Sequence, residues 1–154
     1  MPPSVGATTE PGIVRTLLGE TEPSVAEGET LGLWHYRIPA GSTLAPHTHP
    51  GDQVARVVLG TLTYEVVSGE ARVVRSDGST ETVGAGEATT LKPGDAVIEP
   101  MGMVHFGSND GRRPVELVAA TLFETGAEVA TPVEASPATM GSPAPIEAVA
   151  SPAS

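Results

Sequence analysis

The sequence predicts an all-β domain, a closed barrel or sandwich of roughly ten short strands. Three observations predict it. Eighteen glycines and fifteen prolines interrupt 154 residues too often for a helical bundle. Apolar residues recur with a period of two in run after run, the repeat of an extended chain with one buried face. No segment joins a helical apolar stripe to a cap. Aromatic content is 3%, so Val, Leu, Ile and Ala must build the core.

Taken in order, residues 1–12, "MPPSVGATTEPG", read as a flexible N-terminal segment. They lack the basic and apolar parts of a signal peptide, which favours the cytoplasm while leaving the compartment open. The β domain is expected over residues 13–124. "LGLWHYRIP" (31–39) alternates Trp34, Tyr36 and Ile38 with Leu33, His35 and Arg37. "QVARVVLG" (53–60) and "TLTYEVVSG" (61–69) are two strands joined at Gly60. "ARVVRSDGSTETV" (71–83) carries Asp77-Gly78 between two short runs, a hairpin signal. "ATTLKPGDAVIEP" (88–100) repeats strand, Pro-Gly turn, strand, and "VELVAATLFE" (115–124) is the last strong strand. Residues 125–154 hold five prolines, three acids and no base, the composition of a disordered Pro/Ala/Ser-rich tail.

Nineteen acids against eight bases give a formal charge of −11, a field that repels nucleic acid. Arg112-Arg113 is the only basic pair, and no apolar run approaches the roughly 18 residues that cross a membrane. The absence of cysteine removes disulfides, thiolate nucleophiles and zinc–thiolate sites. A metal, if bound, must be held by imidazole and oxygen.

Two of the four histidines stand in "APHTHPGDQ" (45–53). Residues i and i+2 of an extended segment share a face, about 7 Å apart, so His47 and His49 can reach one cation. Gln53 begins the next apolar run, where a turn at Pro50-Gly51 can bring its oxygen to the same point. His105 lies 56 residues beyond His49, in "EPMGMVHFGSN" (99–109). A single histidine on a strand is more often a half-buried polar residue with one partner. Three at these spacings, set among glycines, favour a metal site.

Two stretches carry a family resemblance. Gly41-x5-His47-x-His49-x3-Gln53-x6-Gly60 resembles the first cupin motif at every spacing, with Gln53 where the family has Glu. Gly94-x5-Pro100-x-Gly102-x2-His105-x3-Asn109 resembles the second at every position. The resemblance covers about residues 30–123 and implies a single double-stranded β-helix, or jelly-roll barrel. It implies His47, His49 and His105 as metal ligands, Gln53 as the fourth, and a homodimer. The metal would be a divalent transition ion, Fe, Mn, Cu, Ni or Zn, since affinity alone does not choose among them. A neutral amide at position 53 leaves the centre one charge unit more positive and removes a potential base. Ligation by His47, His49 and His105 alone is the minimal form of the expectation.

The remaining residues sort by strand geometry. His35 shares a face with Leu33 and Arg37 and is expected to be structural. Tyr64, Glu65 and Glu99 fall on strands beside the site, with their facing left open by the alternation. Met101 and Met103 either line a pocket mouth or fill core gaps. Gly41, Gly60, Gly94 and Gly102 mark corners that need positive φ or close approach, and Asn109 should bond the Asp110-Gly111 turn.

A metal-dependent dioxygenase acting on a small molecule is the leading expectation, with no catalytic residue assigned. One alternative is a non-redox isomerase or lyase using the metal as Lewis acid, with Tyr64 or Glu99 as base. The other is a non-catalytic metal- or ligand-binding module.

Overall fold

The computed structural model describes residues 7–10 and 12–134. In chain order the strands are β1 (Ala7–Glu10), β2 (Ile13–Thr21), β3 (Glu29–Ile38), β4 (His47–Thr48), β5 (Gly51–Leu59), β6 (Leu62–Ser68) and β7 (Glu70–Val74). Then come β8 (Thr80–Gly84), β9 (Ala88–Leu91), β10 (Ala96–Glu99), β11 (Val104–Ser108), β12 (Val115–Glu124) and β13 (Thr131–Pro132). No helix occurs among the described residues, and so none long and apolar enough to cross a membrane.

Every pairing is antiparallel. One sheet runs β1-β2-β3-β12-β5-β10-β7-β8 and the other β13-β4-β11-β6-β9. The late strand β12 inserts between the early strands β3 and β5, the wrapped connectivity of the all-β jelly roll that the sequence implied.

Parity decides what each strand contributes. On β5, Gly51, Gln53, Ala55 and Val57 face inward, while Asp52, Val54, Arg56 and Val58 face out. Trp34, Tyr36 and Ile38 of β3 and Leu62, Tyr64 and Val66 of β6 also point in. They meet Val97 from β10 and Val115, Leu117 and Ala119 from β12, all buried in one core. Burying each aliphatic or aromatic side chain contributes about 1.5–3 kcal/mol, which selects this register over a one-residue slip.

The corners behave as their residues require. Gly41, Gly60, Gly94 and Gly102 all have φ between 79° and 95°. Asn109, 1% exposed, accepts from the Gly111 amide and donates to the Ile38 and Arg113 carbonyls, so it bonds the turn as expected. The Asp77-Gly78 hairpin forms between β7 and β8.

Both chain ends reach further into the fold than the sequence suggested. Residues 7–10 pair with β2, inside the stretch expected to be flexible. Residues 125–134, assigned by composition to a tail, return along the barrel. Thr131 and Pro132 pair with Thr48 and His47, and the Val133 amide donates to the Pro46 carbonyl. The two-residue strand β4 leaves an edge of unpaired backbone groups, and β13 satisfies it. Residues 135–154 of the expected tail lie outside the described residues.

Gly51 sits opposite Phe123; an added Cβ would lie 2.9 Å from the Phe123 Cα and against the Leu122 carbonyl. Gly51→Ala is expected to cost about 1–3 kcal/mol. A lower urea midpoint at unchanged m-value would show it; an unaltered midpoint would contradict this register.

Candidate metal centre

Three imidazoles converge inside the barrel. His105 on β11 pairs directly with His47 on β4, and His49 stands one residue beyond β4. One nitrogen from each of the three can be chosen so that all lie within 4.8 Å of one another. The ring centroids are 4.5 to 5.1 Å apart, and the residues are 3 to 5% exposed. His49 also stacks on Phe123, with the planes 11° apart.

Hydrogen bonds orient two of the rings. His47 Nδ1 donates to the Ala45 carbonyl at 2.8 Å, and His49 Nδ1 donates to the Val129 carbonyl at 2.7 Å. A carbonyl can only accept, so each Nδ1 carries a hydrogen, and in the neutral ring Nε2 then keeps its lone pair. His105 Nδ1 makes no hydrogen bond of ordinary geometry, although the Met103 backbone beside it favours the protonated ring.

A chain of polar groups adjoins the rings. Glu99 on β10 is the direct cross-strand partner of Gln53 on β5. Gln53 Nε2 donates to Glu99 Oε1 at 2.6 Å, and the Tyr36 hydroxyl donates to Gln53 Oε1 at 2.6 Å. The Tyr64 hydroxyl donates to Glu99 Oε2 at 2.8 Å. Glu99 oxygens lie 3.6 Å from His49 Nε2 and 3.2 Å from His105 Nε2. Gln53 reaches the site, but with its oxygen turned to Tyr36 and only its NH2 group toward His49, at 3.4 Å. Reversing the amide would set oxygen against the Glu99 carboxylate, two acceptors face to face. This network therefore opposes Gln53 as a fourth ligand.

Burial sets the protonation states. It lowers His49 to about 3, opposed by the Glu99 charge and reinforced by His105 and His47. Burial also puts His105 well below its usual value, with His47 and the Arg15 charge adding to the effect. The Tyr64 phenol is raised well above 10 by burial, then by the charge and hydrogen bond of Glu99. Both rings are thus neutral at pH 7, the form that ligates a metal, and Tyr64 keeps its proton. A buried, all-nitrogen donor set beside a carboxylate fits a divalent first-row ion.

The cluster opens on a cavity of about 40 Å³, walled mainly by Ile13, Ile38, Leu44, Val97 and Leu117. At roughly 10–15 Å³ per water, it holds about three water-sized groups. Arg15 on β2 completes the wall; it is 2% exposed, with its guanidinium 5.3 Å from the centre of the Tyr36 ring.

Of the residues singled out by sequence, His47, His49, Gln53 and His105 are brought together, joined by Tyr64 and Glu99. Glu65 is half-buried and faces away from the cavity. His35 lies outside the site, bonded to Glu116 Oε1 at 3.1 Å. Met103 is buried in the core and Met101 is 56% exposed; neither lines the cavity. Sequence reasoning missed Arg15, the Tyr36 hydroxyl and the Val129 carbonyl. Arg15 alone left a signal, a charged residue on the apolar parity of "IVRTL" (13–17).

The cupin family model matches residues 8–150, and the chain belongs to that family. No curated protein sequence matches significantly. Among solved structures, the chain is similar to an oxalate oxidase in complex with the substrate analogue glycolate. The identity is 20% and the TM-score 0.53, over 78% of this chain and 55% of that one. A structure from a study of DMSP lyases shares 16% identity and a TM-score of 0.54, over 79% and 53% of the two chains. The Bacillus subtilis oxalate decarboxylase, studied for its Mn(II) centres, shares 17% identity and a TM-score of 0.50, over 82% and 29%. The chain thus spans about half the length of the first two and under a third of the last; these likenesses show the fold.

The depressed histidines predict an acid-labile metal-free protein. Unfolded chains take up protons near pH 6.5, while the folded His49 ring resists down to about 3 and His105 is lowered in the same direction. The stability is thus complete above pH 6.5 and lost as pH falls toward 3. Urea unfolding of metal-free protein should show a falling midpoint across that window, and His49→Gln should flatten the fall. An equally steep profile in the variant would contradict the assignment.

Proposed function

We propose that the protein is a metal-dependent cupin enzyme acting on a small organic molecule, with a dioxygenase-type oxidation as its leading chemistry. The observation that carries this reading is the convergence of three buried imidazoles on one point in the wall of a mostly apolar cavity. Bound there by His47, His49 and His105, a divalent metal would supply open positions where a small substrate and dioxygen meet.

The chain's own residues supply the surroundings. Aliphatic walls keep bulk water from the reacting atoms. The narrow cavity limits the buried part of the substrate to a few heavy atoms. The Arg15 guanidinium in the same wall favours an anion, such as a small carboxylate. Tyr64 holds its proton and offers it as a hydrogen bond to Glu99. Oxalate and glycolate, which figure in the names of structural neighbours, are natural first probes.

A second reading, a non-redox lyase or isomerase, is favoured by one observation: Glu99 places a buried carboxylate in the cavity, where a base would stand. Protein purified without an affinity tag is expected to carry about one transition-metal ion per chain by elemental analysis, and His105→Ala to lose it. Oxygen uptake with a small carboxylate would support the oxidation. Anaerobic turnover with zinc or nickel would favour the second reading. Tag-free protein that neither carries nor takes up a transition metal would overturn both.

We also infer a homodimer through the outer face of the larger sheet. There Leu33, Ala120, Val54 and Ile98 form one lateral row across β3, β12, β5 and β10. Leu31, Leu33, Val54 and Val58 are 45 to 46% exposed, an apolar face that a second copy would cover. Light scattering should give twice the 15.6 kDa chain mass, and Val54→Glu should halve it. A wild-type monomer at micromolar concentration would contradict this.

A further inference from the structure

The metal centre is one carboxylate short at position 53, yet a carboxylate is present. Glu99 stands directly across the β5–β10 ladder from Gln53. We propose that Glu99 replaces position 53 as the carboxylate ligand, the ligand having crossed to the neighbouring strand. This inference rests on the metal-site reading above and adds a fourth donor to it.

Distances favour ligation. Metal–nitrogen and metal–oxygen bonds of about 2.0–2.2 Å place neighbouring donors about 2.8–3.1 Å apart at octahedral angles and about 3.3–3.6 Å apart at tetrahedral ones. Glu99 oxygens lie 3.2 Å from His105 Nε2 and 3.6 Å from His49 Nε2, the separations of groups that share an ion. The group of three imidazoles within 4.8 Å does not extend to Glu99, so the carboxylate must shift to bring one oxygen onto an ion that all three share.

The hydrogen bonds point the same way. Each Glu99 oxygen accepts one bond from behind, Oε1 from Gln53 and Oε2 from Tyr64. A carboxylate oxygen has a further lone pair, so both remain able to donate to a cation. At His105, a proton on Nε2 can fill the gap to Glu99. At His49 the ring hydrogen is spent on Val129, and Nε2 has only the long 3.4 Å contact of the Gln53 amide while standing 3.6 Å from a Glu99 oxygen. A cation resolves that contact.

Gln53 then has a defined task. It orients Glu99 through its NH2 group, while the Tyr36 hydroxyl fixes which way the amide points. A Glu at position 53 would set two carboxylates side by side on adjacent strands; Gln avoids that repulsion. Ligation by Glu99 also takes the carboxylate out of use as a free base, which weighs against the lyase or isomerase reading.

The test uses the full chain, stripped and titrated with Mn(II) or Co(II) alone, with wild type, Glu99→Gln, and the double variant Gln53→Glu/Glu99→Gln. Loss of a group that merely supports a ligand costs about 10- to 100-fold in metal affinity. Glu99→Gln is therefore expected to weaken Mn(II) binding by upward of 100-fold and to shift the Co(II) visible bands, which report a changed donor set. The double variant, returning the carboxylate to position 53, should regain most of the affinity. Melting of the metal-free proteins shows whether each variant folds; if Glu99→Gln does not, tight Co(II) binding with altered bands in the double variant stands as support. Wild-type affinity and unchanged Co(II) bands in Glu99→Gln would overturn the assignment while leaving the three-histidine site intact. Failure of the wild type to bind either metal would instead remove the site itself.

Discussion

Placing three imidazoles and a carboxylate in the buried interior of a small barrel is the constraint on which the rest of the structure depends. An unpaired buried polar group costs on the order of 1–3 kcal/mol, and an unpaired charge costs more. The surrounding chain is arranged around that cost. Backbone carbonyls of Ala45 and Val129 take up the Nδ1 hydrogens of His47 and His49. Tyr64 and Gln53 take up the Glu99 carboxylate, and Tyr36 takes up the Gln53 oxygen. What remains facing the centre is a set of lone pairs, and lone pairs gathered in a low-dielectric pocket are stabilised by a cation.

That view explains why residues 125–134 belong to the barrel. Proline and small residues make the segment resemble a tail, and composition is blind to a single carbonyl. Val129 nevertheless supplies the acceptor that orients His49, while β13 closes the edge of β4 that carries His47. The segment is held by the backbone groups it completes, by Val129, which packs against the core, and by the buried Ala130.

The barrel was legible in the sequence because the period of two needs only apolar and polar residues in alternation, and Gly and Pro mark its corners. The histidines were legible through spacing, since His47 and His49 share a face and His105 lies on a second, recognisable stretch. Tyr64 could have been placed from its own strand, where Leu62 and Val66 share its parity and polar Thr63 and Glu65 take the other. Glu99 could not. Its strand is apolar on both faces, with Val97 on one and Ala96 and Ile98 on the other, so alternation leaves the carboxylate undirected. The Gln53 amide was equally hidden, because its orientation depends on Tyr36, which sequence reads only as an apolar core residue.

The most direct measurement is anomalous scattering from a crystal of the metal-loaded protein at the absorption edge of the added ion. The account predicts a single strong peak inside the barrel, about 2.0–2.2 Å from one nitrogen each of His47, His49 and His105. A barrel interior without a peak, with the ion found only at surface carboxylates, would contradict it.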